Sequence, residues 1–119
     1  MSGEHPHSNE WPAELDALAA DPEHHTLLFE NDFVRVLDTL ILPGQMTHVH
    51  THRWPASLYV LSWSDFIRYD PEGNMLLDSR TLAETPAAAS ALWSGPLKPH
   101  ALKNTGEKDI HIISVEIKK

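Results

Sequence analysis

Three histidines stand on alternate positions in PGQMTHVHTHRW, residues 43–54: His48, His50 and His52. A neutral imidazole carries one donor and one acceptor nitrogen, and its charge changes close to neutral pH. Side chains alternate faces along a strand, so the three histidines share one face while Thr47, Val49 and Thr51 share the other. Facing solvent, they would leave Val49 and two threonines to the core. Facing inward, their nitrogens need partners. Those partners are other polar groups, buried water, or a divalent metal, for which neutral imidazole is the commonest side-chain ligand.

A distant histidine sharpens the metal reading. His100 lies in KPHALKN, at the start of a late short strand that runs toward a turn. Two histidines from one strand and one from another make a facial ligand set of His50, His52 and His100, with His48 as a tentative fourth. The residues alone leave a hydrogen-bonded polar core open beside the metal site. His24 and His25 read as exposed turn residues, and His111 in DIHIISVEI as a partly buried strand residue. By alternation Ser57, Tyr59 and Trp63 share a face, and with Trp54 at the mouth they form a candidate substrate pocket. Ordinary core and interface packing is the plainer reading of Trp63 and Trp93. Arg35, Arg53 and Arg68 are candidates to orient an acidic substrate, and a surface ion pair is the plainer reading of each. There is no nucleophile–base pair, carboxylate pair or phosphate-cradling glycine loop; the whole chain has five glycines.

The elements that must hold these residues are mostly strands. Residues 1–10, with His5 and His7, read as a flexible arm, and WPAELDALAAD as a short helix ending before Asp21-Pro22. From Thr26 onward come TLLFE, FVRVLDTLIL, MTHVHTH, SLYVLSW, DFIRY, MLLDSR, SALW, HALKN and DIHIISVEI. DPEGN and NTGEKD supply hairpin turns, and TLAETPAAAS a loop. Short strands at close spacing indicate an all-β antiparallel sandwich or small barrel. At 119 residues and 41% hydrophobic, the chain suits one compact domain. A formal charge of −8 without any Lys/Arg cluster argues against nucleic acid or an anionic membrane as partner. No apolar run is long enough for a membrane span and the N-terminus has no secretory pattern, so the expected location is cytoplasmic. The absence of cysteine agrees with that and removes thiolate sites.

The histidine segment resembles the first motif of the cupin superfamily: G, five residues, H-x-H, about four residues, E, six residues, G. Gly44 is followed by QMTHV and then His50-Thr51-His52; past RWPA the Glu position falls on Ser57, and the closing Gly on Ser64. The second motif ends in P-x-G-x-x-H-x-x-x-N, which His100 and Asn104 match while Gly95 and Leu97 stand in the P and G positions. The resemblance covers about residues 26–118, and is nearest to small single-domain bacterial cupins with a HTHxWP segment. It implies a jelly-roll β-barrel (a double-stranded β-helix) over residues 26–119, behind an arm and short helix at 1–25. It further implies a central divalent transition metal (Fe, Zn, Ni or Mn) on His50, His52 and His100, without the family's carboxylate. The activity it suggests is non-haem Fe(II) dioxygenation of a small dicarbonyl-like or acidic substrate. The alternatives are a Zn- or Ni-dependent isomerase, and a non-catalytic protein that senses or stores a small ligand or metal. Its size class further suggests a homodimer.

Overall fold

A computed structural model describes residues 11–118; the expected arm at 1–10, with His5 and His7, lies outside the described residues. Nine strands are described: β1 (His25–Glu30), β2 (Val34–Ile41), β3 (His50–His52), β4 (Ala56–Ser62), β5 (Phe66–Tyr69), β6 (Met75–Asp78), β7 (Ser90–Ser94), β8 (Leu97–Asn104) and β9 (Ile110–Ile117). A five-stranded sheet of order β1-β2-β9-β4-β7 faces a four-stranded sheet of order β3-β8-β5-β6. Every pairing is antiparallel. This is the antiparallel all-β architecture that the strand spacing and turn residues predict, in the jelly-roll form that the resemblance implies.

Ile41, Phe66 and Ile110, contributed by both sheets, close one end of the barrel, with Trp63 and Leu102 packed against them. Two turns are pinned there by one side chain. The buried Asn104 amide donates to the carbonyls of Ile41 and Lys108, 2.9 and 2.8 Å away, and accepts from the Gly106 N–H at 3.0 Å. Its backbone also exchanges hydrogen bonds with Gly44 and Gln45. Gly44 sits at φ +83°, which a side chain strains, so glycine suits the turn that aims the chain toward His50.

MTHVHTH does not form one continuous strand. Thr47 Oγ1 accepts the Leu102 N–H at 2.9 Å, and the Asp21 carboxylate accepts the His48 N–H at 3.1 Å. Side chains thus take bonds that a regular ladder would use, and pairing with β8 resumes only at His50. The simple alternation that grouped His48 with His50 and His52 fails at this point. The other face of β3 is covered too. Thr51 is buried beneath the N-terminal segment, with its Oγ1 donating to the Leu15 carbonyl at 3.3 Å.

That segment is shorter as a helix than WPAELDALAAD suggests. A 3₁₀ turn at Ala13–Leu15 is followed by α1 (Ala17–Ala20). Asp16 lies extended between them and caps α1 by accepting the Leu18 N–H at 3.1 Å. Ala17 and Asp21 are fully buried against the barrel. Among the described residues no helix is long and apolar enough to cross a membrane.

Candidate metal centre

His50 and His100 are direct cross-strand partners on β3 and β8, which brings their rings to a centroid separation of 4.5 Å. His52, two residues along β3, lies 4.9 Å from His50 and 5.9 Å from His100. The fourth ring of the cluster comes from the opposite sheet. His25, the first residue of β1, lies 4.7 Å from His50 and 5.4 Å from His52. One ligand atom each of His25, His50 and His52 lie within 4.8 Å of one another. The expectation that His24 and His25 are exposed is therefore corrected: both are buried, because the N-terminal segment folds over them.

In each of these four rings the Nδ1 atom is occupied. His50 Nδ1 faces the His48 carbonyl and His100 Nδ1 the Lys98 carbonyl, both at 2.8 Å. His25 Nδ1 meets the Asp21 carbonyl at 3.0 Å and the Asp21 carboxylate at 3.1 Å. His52 Nδ1 lies 3.3 Å from Glu116 Oε2. Carbonyls and carboxylates accept, so each Nδ1 carries a proton, and in a neutral ring Nε2 then keeps the lone pair. The result is a group of buried imidazoles offering acceptor nitrogens, with no donor from the described residues bonded to any Nε2. A transition-metal cation is the natural complement of such a set. A metal-ligating histidine commonly has its other nitrogen hydrogen-bonded in this way.

Two carboxylates anchor this arrangement without entering it. Glu116, on the inward face of β9, gives one oxygen to His52 and the other to Arg35 Nε at 2.6 Å. The Arg35 guanidinium also makes a two-pronged contact with Asp16, at 2.9 Å on each arm. Burial pushes the Glu116 pKa up, against the pull of Arg35. Burial likewise disfavours charge on Asp21, but hydrogen bonds from His25, His24 and the His48 backbone outweigh it and hold the carboxyl well below its usual range.

The predicted site residues divide sharply. The rings of His50, His52 and His100 lie within 5.9 Å of one another, but the histidines whose ligand atoms draw closest are His25, His50 and His52, with His25 in the place expected of His100. His48 does not join them: its side chain is 66% exposed and lies 3.6 Å from Glu23. Trp54 and Trp63 line a cavity of about 280 Å³ that the histidines also line. Ser57 and Tyr59 point out of the barrel, and the inward positions are Ala56, Leu58 and Val60. A bulge between Val60 and Ser62 then resets the alternation, so Trp63 faces in although Tyr59 faces out. The inward position beside the expected carboxylate is Ala56, four residues after His52, and the space next to it is bordered by Glu116, its partner on β9. His111 stays at the sheet surface, paired with Asp38 at 2.9 Å.

Desolvation is the main reason that the imidazolium forms are disfavoured, with repulsion between neighbouring imidazoles adding to it. His50 is pushed down to about 2, and His52 and His100 to about 3. Below about pH 6.5 the unfolded chain takes up protons on these residues and the folded, metal-free chain does not. Their contribution is thus full above pH 6.5 and is lost as the pH falls toward 3, at up to about 1.4 kcal/mol per pH unit for each residue. Urea unfolding of the metal-free protein should show a midpoint that drops steadily from about pH 6.5 to 5. A flat midpoint over that range would contradict the buried, neutral cluster.

No protein-family model matches the chain, and no curated protein is similar to it in sequence. Solved structures are similar in fold. A cupin domain from Bordetella pertussis matches with a TM-score of 0.62 at 18% identity, covering 80% of this chain and 92% of that one. A conserved protein with a double-stranded β-helix domain from Klebsiella pneumoniae gives 0.52 at 18% identity, with coverage of 78% and 74%. The polyketide cyclase RemF from Streptomyces resistomycificus gives 0.51 at 17% identity, covering 80% of this chain and 64% of that one. The chain has the double-stranded β-helix fold of the cupins.

Proposed function

We propose that this protein is a metal-binding cupin that holds one divalent transition metal on histidine Nε2 atoms and receives a small oxygen-donor ligand in the adjoining cavity. One observation carries the reading: His25, His50, His52 and His100 all have Nδ1 committed to the wall, so their lone pairs are left for a cation. His25, His50 and His52 form the tightest set, and His100 stands beside His50. A metal there would supply Lewis acidity toward the ligand and, as Fe(II), dioxygen chemistry. The chain's own residues orient the imidazoles through Glu116 and Asp21 and exclude water with Trp54, Leu58 and Ile112. Dioxygenation of a small acidic or dicarbonyl compound in the cytoplasm is the activity we assign to such a centre.

Metal analysis after anaerobic reconstitution with Fe(II) or Zn(II) is expected to give about one equivalent. His50→Ala and His25→Ala should each lose most of it, whereas His48→Ala should retain it. Wild-type protein that holds only a small fraction of an equivalent would end the metal reading. Oxygen uptake with acetylacetone, seen only in the iron-loaded protein, would support dioxygenation over simple storage.

We also propose that the chain pairs with a second copy through the outer face of the five-stranded sheet. In register across that face run Phe29, Val36, Val115, Ser57 and Trp93, with Ile113 and Tyr59 in the next row. Phe29, Tyr59 and Trp93 are all strongly exposed. Apolar area of this kind is normally covered. Sedimentation velocity should give a dimer, and Trp93→Asp a monomer; a monomeric wild type would refute the pairing.

A further inference from the structure

The cavity wall holds two buried donors without acceptors. Among the described residues, Arg68 Nε and Trp63 Nε1 are fully enclosed donor nitrogens that make no hydrogen bond. Both residues line the histidine cavity. They flank one ring: Trp63 meets Phe66 edge-on at 5.3 Å, and the Arg68 guanidinium carbon lies 5.8 Å from the same ring. An orphaned N–H in a folded protein is costly, and Arg68 is a half-buried cation whose enclosed Nε has no partner.

The other inward arginine shows what a satisfied one looks like here. Arg35 reaches into the same interior and is tied to Asp16 and Glu116. Arg68 forms no ion pair with any described residue, and burial alone accounts for the lowering of its pKa. Its charge remains at neutral pH, because a guanidinium does not deprotonate in proteins. The charge acts on His52 and His100 across the cavity. Among the described residues Glu116 is the one carboxylate lining the cavity, and it is used by Arg35 and His52.

We propose that Arg68, with Trp63 beside it, is the carboxylate subsite of the cavity, and that the natural ligand is a small organic acid. Its carboxylate would sit on the Arg68 guanidinium while a second oxygen, on a neighbouring carbon, faces the histidines. This rests on the metal reading only for the second oxygen. A planar guanidinium fork matches carboxylate geometry. At about 280 Å³ the cavity is just below the usual span of small-molecule pockets, about 300 to 1,000 Å³. A 2-oxo or 2-hydroxy acid of a few carbons fits that size and that donor pattern. A neutral diketone would leave the guanidinium unanswered.

Pyruvate and its neutral methyl ester are the probes, with binding followed by calorimetry on both metal-loaded and metal-free protein. Wild type is expected to bind pyruvate at least ~10-fold more tightly than the ester in either form, since a charge-assisted pair is lost in the ester. Arg68→Met should erase that preference, while Arg68→Lys keeps part of it. If Arg68 is a ligand-binding residue and not a structural one, Arg68→Met should leave the metal content unchanged and raise the urea midpoint of the ligand-free protein. Equal binding of acid and ester by wild type would overturn the proposal, as would an intact preference in Arg68→Met. Failure to take up metal, with the acid preference retained in metal-free protein, would sink the metal reading alone.

Discussion

An imidazole buried in a barrel must place its one proton somewhere, and here the wall decides where. Backbone carbonyls take it from His50 and His100, Glu116 takes it from His52, and Asp21 from His25. Each of these bonds fixes a tautomer and a ring orientation at the same time. Their common effect is to commit Nδ1 of all four rings and leave each Nε2 without a described donor, while one ligand atom each of His25, His50 and His52 lie within 4.8 Å of one another. The depressed pKa values of His50, His52 and His100 belong to the same arrangement, because adding protons would put several positive charges in one apolar space.

The acidic groups that hold the rings are themselves held. Asp16, Arg35, Glu116 and His52 form a chain from the N-terminal segment through β2 and β9 to the cluster. Asp21 ties the same segment to His25, and to β3 through the His48 backbone, whose carbonyl then receives His50. Residues 16–25 are therefore a structural part of the centre, although only α1 is helical among them. Burial of ion pairs such as Arg35–Glu116 adds little net stability, and its return is positional.

Much of this is legible in the residues. Hairpin turns at DPEGN and NTGEKD and alternating runs such as DIHIISVEI define the strands and the barrel. The paired spacing of His50 and His52 and the late His100 mark three of the four rings. What escapes is phase. The Thr47 and Asp21 side chains break the alternation before His50 and release His48 to solvent, while the Val60–Ser62 bulge turns Ser57 and Tyr59 outward yet keeps Trp63 inside. A bulge or a stolen ladder bond changes no residue type, so periodicity cannot register it. His25 escapes for a different reason: its partners are tertiary, and nothing local distinguishes it from a turn residue. Glu116 and Arg35 were within reach, since each is a charged residue on the apolar face of a long strand, where a partner is required.

The claim that binds these observations is that four imidazoles share one tautomer. Long-range proton–nitrogen NMR correlation of the histidine rings, recorded on metal-free protein at neutral pH, reads that directly. The expected result is that His25, His50, His52 and His100 are all protonated at Nδ1, that His50, His52 and His100 are neutral, and that added Zn(II) shifts the Nε2 signals of the cluster and leaves those of His48 unmoved. A cluster ring found protonated at Nε2 would contradict it.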